Sequence, residues 1–93
     1  MPTTREVVSL YSVGYIDNDL GFSPCDSART VEEGKSKADA MLRAWARLAG
    51  FEYRPMEWET VGAFEIGTTI GKEFEGDPEE HEIYYAVTST ETN

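Results

Sequence analysis

Ninety-three residues carry eight bases against eighteen acids, a formal net charge of −10, with 40 % hydrophobic and 12 % aromatic residues. A chain of this length is expected to form one domain with one modest core, burying roughly 60–65 % of its unfolded surface. The aromatic content excludes a disordered acidic chain, and the one-sign charge disfavours nucleic acid and anionic membranes as direct partners.

No apolar run approaches the ~20 residues that span a bilayer. The start, Met1 to Glu6, lacks the basic-then-apolar pattern of a signal peptide. Cys25 is the only cysteine, so no internal disulfide forms. The expectation is a soluble, cytoplasmic protein stabilised by its core alone.

Residues 5–17 are rich in Val, Tyr and Ile and predict a long strand. Val7, Tyr11, Val13 and Tyr15 share one face and Val8, Leu10 and Ile16 the other, the pattern of a central strand. Gly14 suggests a bend or bulge. Residues 17–29 read as a loop, because Asp17, Asn18, Asp19, Gly21, Ser23 and Pro24 are turn formers.

Thr30-Val31-Glu32-Glu33 is a capping box. Ala38, Met41, Leu42, Trp45, Leu48 and Ala49 form an apolar stripe at helical spacing, and Gly50 stands where a C-cap glycine belongs. These signals predict a helix over 31–49. Acids at its start and Arg43 and Arg47 near its end suit the helix dipole. Gly34 costs the first turn about 1 kcal/mol relative to alanine, and Asp39, Arg43 and Arg47 line the solvent face at i,i+4.

After Gly50 the period falls to two. Residues 51–60 alternate around Pro55, which predicts an edge or bulged strand. Residues 61–70 predict the next strand, with Gly62 and Gly71 as break points and 72–75 as its extension or a new start. Gly76-Asp77-Pro78-Glu79 is a turn signal, and 82–89 predict the last strand. The expected fold is α+β in two layers, one helix on a mostly antiparallel sheet of about four strands in the order β-α-β-β-β.

The charge is unevenly placed. Residues 50–93 hold eleven acids and two bases, a net of −9, and residues 1–49 hold seven acids and six bases, a net of −1. On a strand, residues i and i+2 point the same way, about 6.7 Å apart. Glu57 and Glu59, Glu73 and Glu75, and Glu80 and Glu82 are expected pairs of this kind. The spacing is close to the interval between neighbouring phosphates of an extended nucleic-acid strand, so such carboxylates suit a groove lined with Lys and Arg. The plainer reading is a solvated face that keeps the protein soluble and its edges unpaired.

No motif names a catalytic activity. Glu79-Glu80-His81-Glu82 hints at a metal, but a site needs three or four converging ligands. The single histidine, facing away from Glu80 and Glu82 on a strand, reads as a solvent residue near a turn. Asp17-Asn18-Asp19 begins like a calcium loop, yet Phe22 and Ala28 stand where that loop needs Gly and Glu. Gly34-Lys35-Ser36 lacks the earlier glycine of a phosphate-binding loop, since Arg29 occupies that position. Gly21 to Cys25 lacks the final glycine of a nucleophile elbow. Cys25 without a nearby base reads as an ordinary loop thiol. Lys35, Lys37, Arg43 and Arg47 read as a solvated helix face, salt-bridged to the acidic sheet or a neighbouring subunit.

In size, charge and lack of catalytic motifs the chain is similar in kind to phage-encoded or mobile-element inhibitors, anti-CRISPR and DNA-mimic proteins among them. That resemblance implies a non-catalytic protein, with no cofactor and no metal, that docks on a basic nucleic-acid-binding surface of a partner protein. The residues expected at the contact are Glu57, Trp58, Glu59, Glu73, Glu75, Asp77, Glu79, Glu80, Glu82 and Tyr84, with Trp58 and Tyr84 as apolar anchors. The alternative is a small homo-oligomeric accessory domain whose acidity serves solubility only. An enzyme is the weakest reading, because so small a two-layer domain can barely enclose a deep pocket.

Overall fold

A computed structural model describes residues 10–17 and 21–89. The capping signals around 30–50 act as the sequence predicts. The Thr30 hydroxyl accepts from the Glu33 amide at 3.0 Å and the helix α1 runs Val31–Ala49. The Glu33 carboxylate reaches back to the Arg29 amide at 2.9 Å. Gly50 closes the helix in the left-handed region, φ 80°, where glycine has no Cβ to clash.

Five strands accompany it: β1 (Tyr11–Asp17), β2 (Gly21–Ala28), β3 (Glu57–Val61), β4 (Phe64–Gly71) and β5 (His81–Ser89). They form one sheet in the order β2-β1-β5-β4-β3, antiparallel at every pairing. The class is therefore α+β, and the chain order is β-β-α-β-β-β rather than β-α-β-β-β.

The extra strand is β2, which the sequence reads as loop. It is an edge strand, where Pro24 is tolerated because no second neighbour needs its missing N–H. A register shift between Val13 and Gly14 leaves Cys25 without a partner opposite and makes Gly14 face Pro24. This is the bulge that Gly14 suggests, and β1 is central, between β2 and β5. Val7 and Val8 lie outside the described residues.

Three further expectations are corrected. Residues 51–56 form no regular structure, and the edge strand starts only after Pro55, at Glu57. Residues 72–80 connect β4 to β5 and extend neither strand. On the helix, Leu48 is 62 % exposed while Ala46 is buried. The buried line is Gly34, Ala38, Leu42, Ala46 and Ala49, because the sheet beneath the helix lies a little to one side of the predicted stripe.

One face of the sheet carries the helix. Val13, Tyr85 and Val87 meet Ala38 and Leu42 there, with Ala28 at the β2 edge, and Leu42, Val13 and Val87 are the largest fully buried side chains. Phe51, Tyr53, Met56 and Trp58 pack against the same core. Gly34 is what lets the first turn of α1 sit down on the sheet. A Cβ there would lie 2.7 Å and 3.0 Å from the two methyls of Val87. Gly34→Ala is therefore expected to lower stability by about 1–2 kcal/mol, since overpacking a filled core outweighs the roughly 1 kcal/mol gained in helix propensity. A thermal midpoint that rises instead would show that the helix has room to lift.

Candidate partner-binding surface

Register fixes which side chains share the sheet face opposite α1. Directly paired residues point the same way, so Glu57, Thr68, Tyr84, Ile16 and Phe22 form one row across all five strands. Glu59, Ile66, Ala86, Gly14 and Pro24 form the next, and Ile70 pairs with Glu82 at the end where β4 leaves the sheet. Glu57 and Glu59 are thus a same-face strand pair, as their spacing predicts. Trp58 lies between them and so points to the other face. Its ring packs where a Cβ of Gly67 would be 3.0 Å away, and the Lys35 ammonium stands 5.5 Å from the ring centroid. Tyr84 is on the open face, donating its hydroxyl to Glu82 at 2.9 Å.

The remaining predicted contact residues sit on the β4–β5 connection or beside it. Glu73, Glu75 and Glu79 are exposed there, and Glu80 precedes β5, so neither Glu73 with Glu75 nor Glu80 with Glu82 forms a strand pair. Asp77 does something else. It is 4 % exposed, and its carboxylate accepts from the Glu79 amide at 3.1 Å and the Glu73 amide at 3.3 Å, with His81 Nε2 at 3.3 Å. It fastens the connection instead of facing a partner.

The Glu79 amide above all, helped by the Glu73 amide and His81, holds the Asp77 carboxyl below its ordinary range against the opposing effect of burial. A depressed carboxyl contributes stability that is present above the unfolded value and lost as pH falls through the folded one. Asp77→Asn is thus expected to lower the urea midpoint near neutral pH, with a deficit that shrinks as pH falls through the depressed folded value of Asp77. An equal deficit throughout that range would show that the charge of Asp77 is not what the loop uses.

Donor atoms of Glu73, Asp77 and His81 lie within 4.8 Å of one another. The chain neighbours of His81 alone do not disclose this convergence. The turn signal at 76–79 was the available clue, because a turn there brings 73 beside 81. Both Asp77 oxygens already accept from this loop, which marks the cluster as a clasp.

The other acids divide sharply. Glu65 pairs with Lys35 at 3.5 Å, Glu52 and Glu80 flank Arg54 at 3.7 and 3.6 Å, and Asp39 holds Arg43 at 2.8 Å. Lys37 stands 3.6 Å from both Asp26 and Glu33. Lys35 thus bridges helix to acidic sheet as expected, whereas Arg43 pairs within the helix. Among the described residues of the C-terminal half, Glu57, Glu59, Glu73, Glu75, Glu79 and Glu82 have no basic partner. Glu57 and Glu59 stand on the edge strand β3, opposite Thr68 and Ile66, whereas Glu73, Glu75 and Glu79 lie on the connection that follows Gly71, and Glu82 at the start of β5, so these acids run from the β3 edge to the β4–β5 connection.

Cys25 is exposed on β2, with its thiol 3.6 Å from the Ser23 carbonyl. It helps line a cleft of about 850 Å³ with Met41, Trp45, Tyr85 and Phe74, which also takes in Ile16, Glu82 and Tyr84 at the end of the sheet. The Trp45 indole N–H donates to the Lys72 carbonyl at 2.7 Å beside it, tying the connection to the helix. Among the described residues no helix is long and apolar enough to cross a membrane. No protein-family model, curated protein or solved structure matches this chain.

Proposed function

We propose that this chain is a non-catalytic binding protein that docks on a basic, nucleic-acid-binding surface of a partner protein and blocks it. The observation that carries this reading is that Glu57, Glu59, Glu73, Glu75, Glu79 and Glu82 are all without basic partners, Glu57, Glu59 and Glu82 on the open sheet face and the other three on the β4–β5 connection. Elsewhere Asp26, Glu33, Asp39, Glu52, Glu65 and Glu80 each stand within 3.7 Å of Lys35, Lys37, Arg43 or Arg54, so the field is weighted toward the uncompensated set. Glu57 and Glu59, one strand repeat apart, present negative charge at about the interval of successive phosphates. A cationic groove is drawn to such a field from a distance.

The test is capture followed by competition. Immobilised chain should retain a Lys/Arg-rich nucleic-acid-binding protein from its native cell, and the purified partner should release its nucleic acid when the chain is added. The variant with Glu57, Glu59, Glu75 and Glu79 changed to Lys should do neither. Retention and competition that survive this reversal would overturn the proposal.

The homo-oligomeric alternative draws on one observation, the apolar character of the sheet face that α1 leaves uncovered. Sedimentation of the free chain separates the two readings.

A further inference from the structure

We infer that the sheet face opposite α1 is the contact surface, and that what it receives is a cationic amphipathic segment of a different protein rather than a second copy of this chain. The inference rests on the binding function proposed above and adds the face and the chemistry of the element it takes.

The face has a middle of apolar groups and an acidic margin. Half-buried Ile66, Tyr84 and Ile16 lie on the inner strands around the fully buried Ala86, Phe22 lies on the β2 edge, and Phe64 at 40 % exposure, Ile70 at 38 % and Val61 at 47 % lie toward the β3 side. The helix and the aromatic groups of 51–58 pack on the other side, against Val13, Tyr85 and Val87. An apolar area of this kind, rimmed by polar groups, is the form of a protein contact site. Glu57 and Glu59 mark its β3 edge, and Glu82 marks its end beside Ile70.

Charge decides between occupants. No Lys or Arg is among the described residues on this face, as the paired rows show. Stacking two copies would bring Glu57, Glu59 and Glu82 against apolar groups or against one another, with no cation for any of them. Carboxylates desolvated without a partner oppose association. A segment with apolar residues on one side and Lys or Arg at its margins fills the middle and supplies the missing cations. Tyr84 adds a ring for an arginine to lie on.

The probe is a short amphipathic lysine–leucine peptide, with a scrambled peptide of the same composition as control, followed by fluorescence anisotropy. The amphipathic peptide should bind more tightly than the scrambled one. The double variant Phe64→Thr and Ile70→Thr should weaken it at least about tenfold, with an unchanged circular dichroism spectrum because both side chains are exposed.

Binding equal in the double variant and the parent, yet abolished by reversing Glu75 and Glu79, would overturn the face while leaving the proposed function standing. Failure of that function reads differently, as native-partner capture that ignores all acid reversals. No preference for the amphipathic peptide would also overturn the inference. So would a dimer of the free chain that the double variant dissociates, or contacts in the free chain from the Ile66 and Ile70 methyls to Val7 and Val8 by nuclear Overhauser effects.

Discussion

Leu42→Ala is expected to lower stability by about 2–5 kcal/mol, against a total of roughly 5–14 kcal/mol for a domain of this length. Leu42 is fully buried and stands in the cluster formed by Val13, Ala38, Tyr85 and Val87. The hole cannot close easily. Val13 and Val87 are paired to each other on adjacent strands, and each of those strands has a second neighbour in the sheet. Sinking the helix would bring Gly34 closer to Val87, where there is already too little space for a single added Cβ. Leu48→Ala, at an exposed site on the same helix, should stay within about 0.5 kcal/mol. Urea midpoints of the two variants check this, and equal shifts would mean that the helix does not seat on the sheet along its Leu42 line.

That pair of residues also marks where sequence reasoning stops. Helix existence, start and end were legible because caps, stripe and C-cap glycine are local signals. The exact burial line was not, because it depends on which strands lie beneath, and Leu48 and Ala46 exchange roles accordingly. Gly34 looked like a weakness in the first turn, and its reason appears only when Val87, more than fifty residues away in sequence, comes to rest against it.

Strand β2 was hidden for a related reason. Apart from Phe22, the residues Ser23, Pro24, Cys25, Asp26 and Ser27 offer little strand propensity, and Pro24 and Asp26 oppose it. What makes them a strand is the edge that β1 offers once β5 occupies its other side. The turn formers over 17–21 are visible in the sequence, but such residues look the same whether they begin a loop or lie between two strands.

The candidate surface was half legible. Alternation placed Glu57 and Glu59 on one side, and the same alternation placed Trp58 on the other, so its packing beneath Lys35 follows from period two alone. The fates of Glu65, Glu80 and Asp77 were not legible, since their partners Lys35, Arg54 and the Glu73 amide are brought to them by the fold. Counting acids gave the sign of the field, and only the fold showed which of them keep their charge uncompensated.

Reversing Glu57, Glu59, Glu75 and Glu79 together to Lys should weaken partner binding by about a hundredfold or more at low salt and flatten its salt dependence. Each substitution changes the charge by two, so the net goes from −10 by +8 to −2. The loss should lie mainly in the association rate, because steering by a concentrated field speeds encounter more than it tightens the final complex. Folding should be little affected, since all four side chains are exposed and none of them makes an ion pair. Net charge and patch can then be told apart by two single variants with the same change. Glu57→Lys alters the open sheet face, and Glu32→Lys alters the exposed first turn of α1 on the opposite side. A patch-driven contact responds to the first several times more strongly than to the second. Equal responses would leave only a general acidic repulsion or attraction, and the blocking surface would have to be sought elsewhere on the molecule.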